Sequence, residues 1–391
     1  MDHRFFLSAI FLVSGTFNVL VVNWANHQQV IGSDGKRHGF QHPVVFTLLM
    51  FLGEFLCFVI FKVIRLIASR SENSQIITDL DSILTEEDST SREFSPLSML
   101  LPAVLDAVAS ILLFTGLYFT NPTSFQMIRG ASTIFAGVFS AIFLNHTLTG
   151  RQWLAIFTIS CALLDIIYLD VLRVKDEQAT LPFTDYKSIL TGDLLIIIAE
   201  ILHGLQYVCE EKQLKTSDVV PLQAAGWQGI FGLVITSLLA ICLNFLPSVR
   251  PFNDSSRAVF DDWSDLVLAL TGKPSLILAL IGFAISCASY NFVGVFITMD
   301  SSSISRLLVD ALRPLFVWMF FWDWNNISPG VIIGFVVLQM GIKLYSQALF
   351  LDSYRAIVAC WHRACYEDLS SEDAVAPNSP PEETDEQQEG L

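Results

Sequence analysis

Charge is scarce in this chain: only 15% of its 391 residues are Asp, Glu, Lys or Arg, against roughly 25% in soluble globular domains. A water-soluble globule is excluded. There is no GxxxxGKS/T phosphate loop, and no polar stretch is long enough for an ATPase domain, so active transport would have to draw on a gradient. The cysteines at 57, 161, 209, 242, 287, 360 and 365 show no CxxC spacing and mostly fall one per apolar run. That pattern reads as small buried hydrophobes, neither a disulfide framework nor a metal site. No cofactor and no metal are expected. A small-x-small cleavage site is also missing after MDHRFFLSAIFLVSG, and the apolar run continues past Val22, so this segment reads as a first span rather than a signal peptide.

What is present is grease. The chain is 53% hydrophobic with 31 Phe and a mean hydropathy of +0.55, the composition of an all-α polytopic membrane protein. The net charge of -16 is localised: residues 72–93 carry -6, residues 367–391 carry -9, and the rest of the chain carries -1. The acidity therefore belongs to soluble segments. The cytosolic loop 69–95 and the tail from Ser370 are too polar to bury a core and are expected to be disordered.

Apolar runs long enough to cross a bilayer fall near 5–25, 43–67, 97–119, 122–144 and 150–172, and again near 191–209, 219–246, 273–298, 303–322 and 329–350. The layout repeats. In each half the third and fourth spans are joined by a tight turn, and AIFLNHTLTGRQWLAIF aligns with MFFWDWNNISPGVIIGF at the junction of the fourth and fifth. Ten transmembrane helices as two inverted five-helix repeats are expected, since an odd number of spans per unit inverts the second copy. The corresponding division is 1–172, an inter-repeat loop 173–190, 191–352, and a cytosolic juxtamembrane segment and tail 353–391. Both termini are then cytosolic, a placement that the Lys/Arg distribution supports only weakly. Asn253 of the sequon Asn-Asp-Ser would be lumenal and open to glycosylation, and Asn145 would not.

The fourth span, NPTSFQMIRGASTIFAGVFSAIFL, carries Arg129 in its first half. An arginine at bilayer depth costs roughly 2.5 to 3.5 kcal/mol on insertion scales, so it should face a partner or a watery cavity. At helical spacing Gln126, Arg129, Gly130, Thr133 and Gly137 share one face, which reads as a cavity wall. The ninth span, SSSISRLLVDALRPLFVW, places Arg306 and Arg313 four and three residues from Asp310, so the carboxylate is bracketed by two guanidiniums and the site is locally positive. An anionic or carboxylate-bearing solute suits such a fork of donors. A self-neutralising structural cluster is the alternative. Glu200 with His203 one turn later, and Glu54 in the second span, are candidates for proton coupling, because buried carboxylates hold protons unless paired. Asp193 reads as a helix N-terminal acid. Asn18, Tyr290 and Asn291 add hydrogen-bonding groups suited to a polar solute, or to glue between helices.

The strings FQHPVVFTLLMFLGE, TSFQMIRGASTIFAGVFS, TGDLLIIIAEI, EEK and SRLLVDALRPLFVW resemble the solute carrier 35 family, and within it the F subfamily. That resemblance covers about residues 1–350. It implies the drug/metabolite transporter fold, with a central site lined by the first, third, fourth, sixth, eighth and ninth spans. Better-known relatives exchange nucleotide sugars, but TMDSSSISR stands where their basic motifs are expected. The resemblance also implies an endomembrane location, lysosomal first, with mitochondrial or Golgi membrane as alternatives.

The leading expectation is a secondary-active transporter of a small polar, anionic solute working by alternating access, with a nucleotide sugar as the alternative substrate. Its competitor is a non-transporting membrane scaffold acting through the tail in mitochondrial or lysosomal homeostasis. No span offers a His/Glu metal cluster or a nucleophile beside a base, so an enzyme is not expected. Partners reduce to the bilayer, a small-molecule solute, and cargo adaptors reading Tyr354 and Tyr366. No nucleic acid is expected, and pairing with a second copy stays open.

Overall fold

The computed structural model describes residues 3–31, 35, 37–70, 92–120, 122–144, 149–178, 186–219, 221–247, 259–310, 312–314, 316–317, 329–330 and 332–345. Helices dominate these residues. They are α1 (His3–Asn26), α2 (Pro43–Arg70), α3 (Leu100–Phe119), α4 (Pro122–Ile128), α5 (Ala131–Phe143), α6 (Gly150–Gln178), α7 (Tyr186–Thr216), α8 (Pro221–Phe245), α9 (Trp263–Gly272), α10 (Pro274–Asp300) and α11 (Ser303–Asp310), followed by α12 (Ile332–Tyr345). Several open on proline, whose fixed φ suits a first helical position and whose missing N–H is not needed there.

Among the described residues seven helical stretches are long and apolar enough to cross a membrane: those of α1, α2, α3, α7, α8 and α10, and Ser124–Phe143, which takes α4 and α5 together. The expected fifth, ninth and tenth spans each contain a described helix, α6, α11 and α12 respectively. Asn145, Asn253, Tyr354, Tyr366 and the tail lie outside the described residues.

The bundle is built inside out relative to a soluble protein. Val13, Phe157, Leu164, Val234, Leu278 and Ile285 are exposed on its outer surface, while Glu54, Asp106, Glu200, Glu210 and Arg306 are buried. Lipid tails are as apolar as leucine, so packing between such helices rests on shape and internal hydrogen bonds. Glycine supplies the shape. On α8, Gly226, Gly229 and Gly232 recur every third residue, and a Cβ added at each would lie 2.5 Å from Phe58, 2.5 Å from the Phe55 backbone nitrogen and 2.1 Å from the Phe51 ring on α2. Gly53 of α2 meets α10 as closely, 2.4 Å from the Ala284 carbonyl oxygen.

At one end of the bundle a hairpin of β1 (Gln29–Ile31) and β2 (Arg37–Gly39) packs with α9. Gly35, between β1 and β2 in the chain, takes a left-handed φ of 74°, which glycine adopts without steric cost. At the other end β3 (Arg92–Glu93) pairs in parallel with β4 (Ser217–Asp218).

Two expectations change in detail. The fourth span is not one helix: it breaks at Arg129 and Gly130 into α4 and α5. Tighter i to i+3 bonds cross the break, from Gly130 N–H to the Met127 carbonyl and from Ser132 N–H to the Arg129 carbonyl, and the Ser132 hydroxyl donates to that same Arg129 carbonyl at 2.7 Å. Asp193 is not a helix N-terminal acid, because α7 starts earlier, at Tyr186. Instead its buried carboxylate accepts a 2.7 Å bond from the Thr120 hydroxyl at the end of α3.

Candidate functional site

The helices surround a cavity of about 70 Å³. Its polar wall is assembled from Asn18 of α1, Glu54 of α2, Asp106 of α3, Arg129 at the α4–α5 break, Gln206 and Glu210 of α7, Gln228 of α8, Asn291 of α10, Arg306 of α11, and Arg313 beyond it. The first, third, fourth, sixth, eighth and ninth spans contribute, as the resemblance implies. The second and seventh also contribute. A smaller space sharing Arg129 and Arg313 takes in Gln126, Thr133, Asp310 and Pro314. Gln126, Thr133, Tyr290 and the other expected binding residues therefore gather at one place, and Gly137 does not: it makes room for the Tyr345 ring.

The three guanidiniums are not bare positive charge. Arg306 donates from Nη1 to Glu210 Oε1 at 3.1 Å, and the Gln206 amide holds the other Glu210 oxygen at 2.8 Å. This corrects the expected bracketing of Asp310 by two arginines on its own helix. Of those two, Arg313 alone pairs with it, at 2.5 Å, while the Tyr290 hydroxyl donates to its second oxygen at 3.1 Å. Aromatic faces complete the cations' surroundings, with Arg306 4.9 Å from the Tyr207 ring centre and Arg313 5.5 Å from that of Tyr290.

Arg129 is held differently. Its nearest carboxylate oxygens, on Glu200 and Asp310, are 3.8 and 3.9 Å away, outside hydrogen-bond distance. Its Nε, like those of Arg306 and Arg313, has no hydrogen-bond partner, but its side chain is 14% exposed against 5% for Arg306 and 3% for Arg313. His203 stands between two acids, Nδ1 at 3.7 Å from Glu200 and Nε2 at 3.5 Å from Asp106. Asp106 is further fixed by Gln228 at 3.0 Å and Ser110 at 3.1 Å. Glu54 accepts from the Asn291 amide at 2.5 Å, and its other oxygen has no hydrogen-bond partner.

A second ionic cluster, which the sequence reading missed, sits at the hairpin end. His42, just before α2, lies 2.7 Å from Asp261 and 3.5 Å from Asp265, and His38 of β2 lies 3.2 Å from Asp265. Burial opposes charge on His42, but its bonds to Asp261 and Asp265 outweigh this and push the imidazole up to about 9. Burial likewise opposes the charge on Asp265, yet His42 and His38 hold its carboxyl below the usual carboxylate range. Among the described residues, no group of three or more His, Cys, Asp or Glu is placed to hold a metal ion.

Apolar helices wrapped around a buried, ion-lined chamber make this a multi-pass membrane protein of the transporter class. A family model described as nucleotide-sugar transporter matches residues 42–286. Solute carrier family 35 member F6 of Rattus norvegicus is 34% identical over 364 residues, covering 92% of each chain. The protein of the same description from Homo sapiens is 34% identical over 347 residues, covering 88% of this chain and 89% of that one. A probable UDP-sugar transporter protein of Xenopus tropicalis is 27% identical over 136 residues, 34% of this chain and 41% of that one. The chain belongs to solute carrier family 35, within the family whose model is described as nucleotide-sugar transporter.

Proposed function

We propose that the chain is a secondary-active carrier of a small polar, anionic solute, working by alternating access across an endomembrane. The observation that carries this reading is Arg129, a guanidinium at a helix break that faces the chamber with donors left over. A carboxylate or phosphate group entering the chamber would take up those donors without dismantling the Arg306–Glu210 and Arg313–Asp310 bonds. Tyr290 and Asn18 supply further polar contacts, and the faces of Tyr207 and Phe125 supply apolar ones.

Alternating access is supported by an exchange in the packing. α3 lies along α7 as α10 lies along α1, α2 meets α10 as α8 meets α3, α5 meets α7 as α11 meets α1, and α2 packs on α8. Swapping the first with the sixth span, the second with the seventh, the third with the eighth and the fourth with the ninth leaves this set unchanged. Two inverted five-helix units rocking about the α2–α8 contact fit that pattern.

A nucleotide sugar is the second reading, favoured by the family description. Uptake into proteoliposomes from a panel of nucleotide sugars and small carboxylates and phosphates separates the two. Arg129→Ala and Asp310→Asn abolish uptake while leaving folded protein in the membrane; unchanged uptake in either variant removes that residue from the site. Deletion of residues 353–391 tests the scaffold alternative, since a carrier keeps its flux. Lysosomal membrane with cytosolic termini and adaptor recognition at Tyr354 and Tyr366 accompany the proposal. A glycan on Asn253 supports this orientation, and one on Asn145 reverses it.

A further inference from the structure

Among the described residues, the chamber holds one acid more than its cations can match. Arg306 serves Glu210, Arg313 serves Asp310, and Arg129 stands by Glu200. His203 stands with one ring nitrogen 3.7 Å from Glu200 and the other 3.5 Å from Asp106, so a protonated ring there faces both carboxylates as their shared cation. That matches four carboxylates to four cations and leaves Glu54. Its side chain lines the chamber yet is 1% exposed, and one carboxylate oxygen has no hydrogen-bond partner.

The packing around Glu54 keeps it dry. Gly229 of α8 brings that helix to within 2.7 Å, Cβ position to atom, of the Glu54 backbone, and Gly53 draws α10 against the opposite flank. The titratable and charged groups that face it are Asp106 from α3, Glu210 and His203 from α7, Cys287 from α10, Arg306 from α11 and Cys57 from its own helix. From α8 comes only the neutral amide of Gln228. Two like charges thus outnumber the one guanidinium acting on it through space. An unmatched carboxylate in such surroundings is costly to keep ionised.

Resting on the carrier reading above, we infer that Glu54 is the proton-coupling residue: it holds a proton while the chamber is closed and exchanges it with water when either mouth opens. The step is a plain protonation, carboxylate plus proton giving carboxylic acid, with water at the open mouth as source and sink. Asn291 can serve both forms. Its amide N–H donates to the ionised acid at the observed 2.5 Å contact, and after a flip its carbonyl accepts the O–H of the protonated one.

The test uses full-length protein in lipid nanodiscs and infrared difference spectra between acid and alkaline buffer, in water and in deuterium oxide. The expected wild-type signal is the carbonyl stretch of a protonated carboxylic acid at neutral pH, shifting on deuteration. It is lost in Glu54→Gln, moved but retained in Glu54→Asp, and retained in Asp106→Asn. A wild type without this band, or a band that survives in Glu54→Gln, overturns the inference. Uptake into proteoliposomes from a polar metabolite extract, read by mass spectrometry with and without a pH gradient, separates the coupling from the carrier. Wild-type uptake that the gradient drives and Glu54→Gln uptake that ignores it support the proposal. Equal gradient dependence in both overturns the coupling and leaves the carrier standing. No wild-type uptake overturns the carrier and the coupling with it, whatever the infrared band shows.

Discussion

The cluster at the hairpin end and the chamber at the centre use the same chemistry at different tightness. His42 lies 2.7 Å from Asp261, a full charge-assisted hydrogen bond that joins the start of α2 to the polypeptide just before α9. Arg129 and His203 stand 3.5 to 3.9 Å from their acids, close enough to neutralise and too far to saturate. The first arrangement fixes structure. The second leaves donors for the solute proposed above, and in that reading the difference separates a clasp from a binding surface.

Breaking that contrast should produce a graded series. Arg306→Gln leaves Glu210 buried without its cation and should cost about 4 kcal/mol of stability, the usual penalty for stripping one member of a buried pair. Thermal unfolding in detergent reads it, and Arg306→Met combined with Glu210→Met should recover most of the loss. Asp261→Asn at the hairpin end should cost about 3 kcal/mol on the same grounds, with a dependence on pH that the chamber variants lack. The imidazole of His42 is raised from 6.5 to about 9 in the folded state, so its contribution is complete below 6.5 and disappears as pH rises through 9. The gap between wild type and Asp261→Asn should therefore narrow in alkaline buffer; a gap that widens would refute the clasp.

Gly229→Ala forces a methyl group against the α2 backbone and should cost about 2 kcal/mol, as overpacking does. Its unfolding midpoint should fall while Gly150→Ala, where an added Cβ meets nothing within 4 Å, leaves the midpoint unchanged. The smallest effect on stability belongs to Arg129→Lys, which keeps the charge and loses the planar fork. We expect less than about 1 kcal/mol in unfolding, because the pairing is loose, together with at least a tenfold fall in uptake, equivalent to about 1.4 kcal/mol of lost recognition.

The sequence disclosed those features that contrast with their immediate neighbours. A lone arginine or acid inside an apolar run stands out, so Arg129, Arg306, Asp310, Arg313, Glu54 and Glu200 were visible before any coordinates. Helical spacing, however, reports only neighbours on the same helix. It paired Arg306 with Asp310, whereas the true partner Glu210 lies 96 residues away on α7. The EEK string that holds Glu210 and Glu211 was noticed as a family likeness and given no role. In the structure the Glu211 carboxylate caps the start of α11, taking both the backbone N–H and the hydroxyl of Ser303. The His42 clasp was invisible for the opposite reason. Its members sit in polar connecting segments where ionisable residues are ordinary, and His42 and Asp261 are 219 residues apart. The break at Arg129 also escaped notice, since Gly130 alone costs a helix only about 1 kcal/mol and does not announce a turn.

The three glycines of α8 have a mechanical consequence. Each is a notch one step along the helix from the next, and each receives a different part of α2: Phe58, then the backbone at Glu54 and Phe55, then the Phe51 ring. Teeth and notches set at fixed intervals forbid slippage along the axis and twisting about it, while leaving the joined rods free to lean together. In the rocking proposed above, the α2–α8 seam is the axle, and Glu54 is mounted on it, at the point that travels least.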